Sequence, residues 1–214
     1  MAALTLVIGN RAYSSWSLRP WLALRHVGAV FEEVVIPLRQ PDTKARILAH
    51  SAAGKVPVLL VNGVAVWESL AICETVAEMF PAKALWPTDS GVRALARAVA
   101  TEMHGGFLEL RKAFPMDMKR PPAVRLPPEA ALPDIERITA IWAGLRARFG
   151  GEGPFLFGTF TIADAMYAPV CSRFETYRVP LDPICHDYVQ AVLALPAMGE
   201  WRAAALAEPW EIAY

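Results

Sequence analysis

The sequence predicts an α/β unit built on a mixed four-stranded sheet, followed by an all-helical bundle. Three observations carry that prediction. Short β-rich runs alternate with helical patterns from Leu4 to about Phe80. An Asn-Gly pair in "VNGV" joins two apolar runs, the strongest short signal for a hairpin. Beyond a stretch rich in Pro and Gly, apolar residues recur only at helical spacing.

The opening run "LTLVIG" reads as a first strand, and Ser17 to Val27 as a helix behind the serine-rich approach in "NRAYSSWSLRPWLALR", Asn10 to Arg25. "FEEVVIPL" is a second strand and Thr43 to His50 a short helix. "VPVLLVNGVAVW" supplies strands three and four, and "ESLAICETVAEM", Glu68 to Met79, the next helix. The order β-α-β-α-β-β-α makes the first two strands parallel across a right-handed crossover and the last two antiparallel. This unit is expected to span residues 1–81, with a linker at 82–91 in "FPAKALWPTDSG" and the bundle over 92–214.

In the bundle, Val92 to Phe114 reads as one long helix, and Ile135, Ile138, Trp142, Leu145 and Phe149 mark a second. Thr161 to Tyr177 and about Pro183 to Leu206 supply more. Between the first two lies "KRPPAVRLPPEAALP", whose prolines forbid helix and whose charges suit a solvated loop. Thr161 stands three residues before Asp164 at the head of an apolar helix, which is the pattern of a capping box and gives Asp164 a structural role.

Composition narrows the function. Lys plus Arg (21) balance Asp plus Glu (21), so no net field gathers nucleic acid or an anionic membrane. The cysteines Cys73, Cys171 and Cys185 are odd in number and lack metal-ligand or CxxC spacing, which fits buried thiols in a reducing compartment and no metal site. No apolar run reaches the roughly 18 residues of a membrane span, and "MAALTLVIGN" lacks a basic n-region. A soluble cytoplasmic protein is expected.

Three features share the first unit: Ser14, Ser15 and Ser17 before a helix, "KVP" at Lys55 to Pro57 before a strand, and "ESLAI" at Glu68 to Ile72 opening a helix. With the T-x-x-D cap of the second unit, their order and separations make the chain resemble the glutathione transferase superfamily, a thioredoxin-like domain followed by an all-helical one. "SSWSLR" is most similar to the "SSCS-x-R" signature of the zeta class, the maleylacetoacetate isomerases. The departure is Trp16, where that class has Cys.

The resemblance implies a glutathione site. Val56, before a cis Pro57, would meet the cysteinyl part with its backbone. Glu68 and Ser69 at a helix N-terminus would take the γ-glutamyl ammonium and carboxylate. Lys55 would meet the glycyl carboxylate, Trp16 would border the site, and His50 reads as an ordinary surface residue. A serine without a base is a poor nucleophile, but the nucleophile here would be the glutathione thiol. Lowering its pKa from ~8.5 by about two units takes roughly 2.7 kcal/mol. One hydrogen bond to a charged sulfur supplies ~1.5 to 3 kcal/mol and a helix N-terminus ~0.3 to 1. Ser14 is the expected donor and Ser15 the alternative; Ser17 reads as the helix N-cap and Arg19 as a structural contact. Tyr13 is set aside, because tyrosine-type relatives carry their phenol on the first strand, where this chain has Ile8 and Gly9.

A second substrate is expected against the first bundle helix. His104, Phe107, Leu108 and Arg111 stand at helical spacing there, with Arg173 and Tyr177 as weaker candidates. An arginine favours an anionic partner, whereas Trp16, Phe107 and Met116 favour an apolar electrophile. The implied function is a serine-type glutathione transferase that adds the thiolate to an electrophile. A zeta-like cis-trans isomerase and a non-catalytic glutathione- or protein-binding module are the alternatives. A dithiol oxidoreductase is not expected, since Ser14-Ser15-Trp16-Ser17 stands where CxxC would be. The resemblance further implies a homodimer.

Overall fold

A computed structural model describes residues 2–212. Its first half is a four-stranded sheet in the order β2-β1-β3-β4, formed by β1 (Leu4–Ile8), β2 (Glu32–Val35), β3 (Val58–Val61) and β4 (Val64–Trp67). β1 runs parallel to β2 and antiparallel to β3, and β3 pairs antiparallel with β4. Leu6, Val7 and Ile8 are all fully buried, because the sheet is covered on both faces, so β1 reads as a continuous apolar run rather than an alternating one. Leu6 and Ile8 face a large core with α1 (Ser15–Val27) and α3 (Ser69–Met79), while Val7 joins Ile36, Ile47 and Val58 beneath α2 (Thr43–Leu48). The hairpin turns on Asn62 and Gly63, both at positive φ (49° and 83°), as the Asn-Gly signal requires.

Three sequence expectations shift here. α1 begins at Ser15 with Ser14 at its N-cap, so Ser17 is the third helical residue and not the cap. "FEEVVIPL" pairs only over Glu32–Val35, and Pro37 has no N–H to extend a ladder. The helix after β4 starts at Ser69, with Glu68 at its N-cap in the left-handed region (φ 68°), a conformation that a side-chain-bearing residue holds only at a cost.

The second half is helical: α4 (Ser90–Gly105), α5 (Leu108–Ala113), α6 (Leu132–Phe149), α7 (Ile162–Thr176), α8 (Pro183–Leu193) and α9 (Pro196–Ala207). The single helix expected over Val92–Phe114 is two. Gly105 and Gly106 weaken the helix, Phe107 turns left-handed at φ 61°, and Asp134 of α6 accepts the Leu110 N–H at 2.9 Å, satisfying a free donor of the new helix. The stretch from Pro183 to Leu206 also divides, because Pro196 forces Leu195 out of helical geometry (ψ 131°) and opens α9 at its first position.

The capping box at Thr161 closes as expected. The buried Asp164 carboxylate accepts from the Thr161 N–H (2.8 Å), the Thr161 hydroxyl (3.0 Å) and the Leu156 N–H (3.0 Å). Residues 121–128 carry no helix, but the segment is docked: Ala123 and Arg125 donate their N–H groups to Thr176 and Tyr177 carbonyls at the end of α7. All three cysteines are buried and free. Among the described residues no helix is long and apolar enough to cross a membrane. One core runs through both halves, with α1 packed between sheet and bundle; the Trp21 and Trp201 rings meet at 5.1 Å.

Candidate functional site

The loop from Asn10 to Ser14 is set by parts of the chain far from it. Asn10 Oδ1 accepts the Leu38 N–H (2.7 Å), and its carbonyl accepts from Tyr13 and Ser14. Glu208, beyond α9, accepts the N–H groups of Arg11 (2.8 Å) and Ala12 (3.2 Å), and Trp201 donates its indole N–H to the Arg11 carbonyl (2.9 Å). The loop delivers Ser14 to the N-terminus of α1, where the helix dipole favours negative charge. Ser14 Oγ lies 2.7 Å from Ser17 Oγ, and Ser17 Oγ accepts the Gly9 N–H at 3.1 Å. Ser14 and Ser15 are both buried.

Beside this helix start is a pocket of about 430 Å³ lined by Trp16, Leu38, Ile47, Ala53, Lys55, Val56, Pro57, Trp67, Glu68 and Ser69. The Val56–Pro57 bond is cis, as expected. Ser69 opens α3, and its Oγ is buried without a hydrogen-bond partner among the described residues. Glu68 Oε2 lies 3.3 Å from His104 Nε2, which ties α3 to α4. Burial, reinforced by Arg19, holds His104 below its ordinary pKa despite that carboxylate, so the imidazole is neutral at neutral pH.

Trp16 forms the inner wall. The Arg19 guanidinium lies 4.3 Å and that of Arg111 4.8 Å from the Trp16 ring centre, and His104 meets the ring edge-on at 5.2 Å. Arg111 bends back to donate to the Met103 and Gly106 carbonyls, closing the C-terminus of α4. Arg19 is fully buried, and no guanidinium nitrogen of it has a hydrogen-bond partner among the described residues.

Comparison with known proteins is decisive at this point. The family model "Glutathione S-transferase, N-terminal domain" matches residues 13–79, and "Glutathione S-transferase, C-terminal domain" matches residues 128–204. The chain belongs to the glutathione S-transferase family. A Caenorhabditis elegans protein named a probable maleylacetoacetate isomerase is 28% identical over 175 residues, spanning 81% of this chain and 79% of that one. A glutathione transferase homologue from Burkholderia gl BGR1, crystallised with bound glutathione, superposes with a TM-score of 0.72 at 24% identity, over 96% of this chain and 100% of its own. The Tau class glutathione S-transferase from mango, Mangifera indica, gives 0.72 at 18% identity, over 95% and 96%. The shared architecture is a thioredoxin-like sheet domain followed by a helical one.

For this member of the family, the sequence candidates separate into two groups. Trp16, Lys55, Val56, Pro57, Glu68 and Ser69 line one pocket, while Ser14 and Ser15 lie at the adjoining helix start and His50 stays outside. On the bundle side the helical spacing expected of His104, Phe107, Leu108 and Arg111 is interrupted at Gly106. His104 and Arg111 converge on Trp16, Phe107 turns into the core, and Leu108 is exposed. Arg173 Nε donates to the Phe114 carbonyl (2.8 Å) and the Tyr177 hydroxyl to that of Pro115 (2.9 Å), so both brace the segment after α5. Met116 is buried, and Tyr13 is engaged by the Ile212 backbone. Leu38, Ile47, Ala53 and Trp67 went unread because no short motif marks them. Arg19 was expected as a structural contact, but its complete burial was not foreseen, because the helices that enclose it lie far away in the sequence. Among the described residues no group of His, Cys, Asp or Glu is arranged to hold a metal ion.

Proposed function

We propose that this chain binds glutathione in the pocket between the Pro57 loop and the first turn of α3, holds its sulfur as a thiolate at the start of α1, and adds it to an electrophile. The observation that carries this reading is Ser69. A buried hydroxyl without an internal partner, at the head of an 11-residue helix and bordering a pocket, is a group waiting for an external acceptor. A carboxylate suits it, because the N–H groups at the start of the helix donate to the same anion. In this reading Ser69 takes the γ-glutamyl carboxylate, Glu68 the ammonium, Val56 the cysteinyl backbone and Lys55 the glycyl carboxylate. The Burkholderia homologue with its bound glutathione supports the choice of ligand.

Ser14 is favoured over Ser15 as the sulfur's donor by its hydrogen-bond chain. Ser17 Oγ already accepts from Gly9, so its proton is available to Ser14 Oγ, which frees the Ser14 proton for the sulfur. Such a chain polarises each member in turn. The thiol proton leaves to water, and no protein base is needed. The proposal extends to a cytoplasmic homodimer, with residues 1–81 holding glutathione and 92–214 facing the electrophile near Trp16, His104 and Arg111.

The likeness to the probable maleylacetoacetate isomerase favours a second reading, in which glutathione adds to an unsaturated substrate and is released after cis-trans isomerisation. Product analysis separates the two, since a transferase keeps the C–S bond and an isomerase returns free glutathione. The test of the shared step is calorimetric titration with glutathione, paired with an ultraviolet titration of the bound thiolate. The expected outcome is a bound thiol pKa well below 8.5, raised by ~1 to 2 units in Ser14→Ala and unmoved in Ser15→Ala. No binding at millimolar glutathione would leave a non-catalytic module of the same fold.

A further inference from the structure

Arg19 is wholly inside the protein, yet among the described residues none of its guanidinium nitrogens has a hydrogen-bond partner. A buried charge in that condition is heavily penalised, and the cation–π contact with Trp16 offsets only part of the loss. The ionisable groups facing it are Cys73 on α3, His104 on α4, Arg111 on α5, and Tyr167 and Arg173 on α7. None supplies a negative charge. Burial pushes the Cys73 thiol up to about 12 and also raises the Tyr167 phenol, His104 is neutral, and the two arginines repel.

Position shows where the missing anion belongs. Arg19 follows Ser15 by four residues, so both lie on one face of α1, and long helical side chains point back toward the N-terminus. Its guanidinium stacks on Trp16, and Trp16 is a wall of the pocket. The charge is therefore in contact with the same indole that lines the ligand pocket, on the helix that Ser14 caps.

We propose that Arg19 is the buried counter-charge of the sulfur anion formed at the start of α1 when bound glutathione loses its thiol proton to water. The inference rests on the glutathione reading above. Arg19 is a positioning residue in this scheme: it acts by its field across Trp16, without touching the sulfur. The protein carries an unpaired cation when empty and completes the pair when the thiolate forms.

The experiment compares wild type, Arg19→Met, which keeps length and loses charge, and Arg19→Lys, which keeps charge. Glutathione binding is measured by calorimetry, the bound thiol by its ultraviolet titration, and the ligand-free proteins by thermal melting. The expected result is that Arg19→Met binds glutathione with a thiol pKa raised by about one to two units, while Arg19→Lys keeps most of the depression. The ligand-free Arg19→Met protein is expected to melt at or above the wild-type temperature, because an unpaired buried charge has been replaced by an apolar chain. An unmoved thiol pKa in Arg19→Met overturns the inference and leaves the glutathione reading standing. If Arg19→Met does not fold, a folded Arg19→Lys that has lost the depression overturns it equally. Failure of wild type to bind glutathione overturns both readings.

Discussion

A hydroxyl with nothing to bond inside its own protein can be removed without breaking anything there. Ser69→Ala is therefore expected to leave the melting temperature unchanged or slightly raised, while glutathione affinity drops about tenfold, the loss of ~1.4 kcal/mol from one hydrogen bond to a carboxylate. A fall in melting temperature with unchanged affinity would return Ser69 to a purely structural role. The places of Ser69 at a helix start and of Pro57 before a strand were legible in the sequence because each has a local backbone reason, whereas the cis bond at Pro57 was expected only from the family resemblance. Arg19 was not legible in this way. Its burial is decided by α7 and α4 closing over it, and nothing within five residues of Arg19 announces those neighbours.

At the scale of elements, α7 is held at its head by Asp164, whose carboxyl burial pushes up to about 6 against the hydrogen bonds that favour its ionised form. The unfolded value is about 3.9, so the folded state binds this proton more tightly. The group's contribution is therefore complete below about pH 3.9 and is lost as pH rises through about 6, a span of up to roughly 3 kcal/mol. Subtracting the stability curve of Asp164→Asn from that of wild type should leave a component that declines from about pH 4 to about pH 7. A component that rises instead would mean that the hydrogen bonds of the cap outweigh burial. The capping box itself was readable from Thr161 and Asp164, since both ends of it lie within one turn. The break between α4 and α5 was not, because apolar periodicity runs on through Gly106 and the cap that stabilises α5 comes from Asp134, on another helix. A single Val92–Phe114 helix would have put Phe107 and Arg111 on one open face; the break folds Phe107 into the core and Arg111 onto Trp16.

Over the whole molecule, the parallel first pair of strands, the antiparallel last pair and the helical content were legible from alternation, the Asn-Gly turn and the capping signals, but the strand order, with β1 between β2 and β3, and the joining of the halves were not. α1 belongs to both: Leu18 and Leu22 sit in the same buried cluster as Ile162 and Ala165, and Trp21 packs on Trp201. Unfolding is therefore expected as one cooperative transition, with tryptophan fluorescence and far-ultraviolet circular dichroism giving the same midpoint. Two separated midpoints would show that each half holds its own core. The same interdependence has a temporal side. The N–H groups of Arg11 and Ala12 are fixed by Glu208, a residue 197 positions beyond Arg11. A ribosome delivers the N-terminal side first, so a growing chain has the sequence of its sheet long before the anchor of its serine loop emerges. The end of α1 that we propose for sulfur therefore gains this anchor only once position 208 has been made.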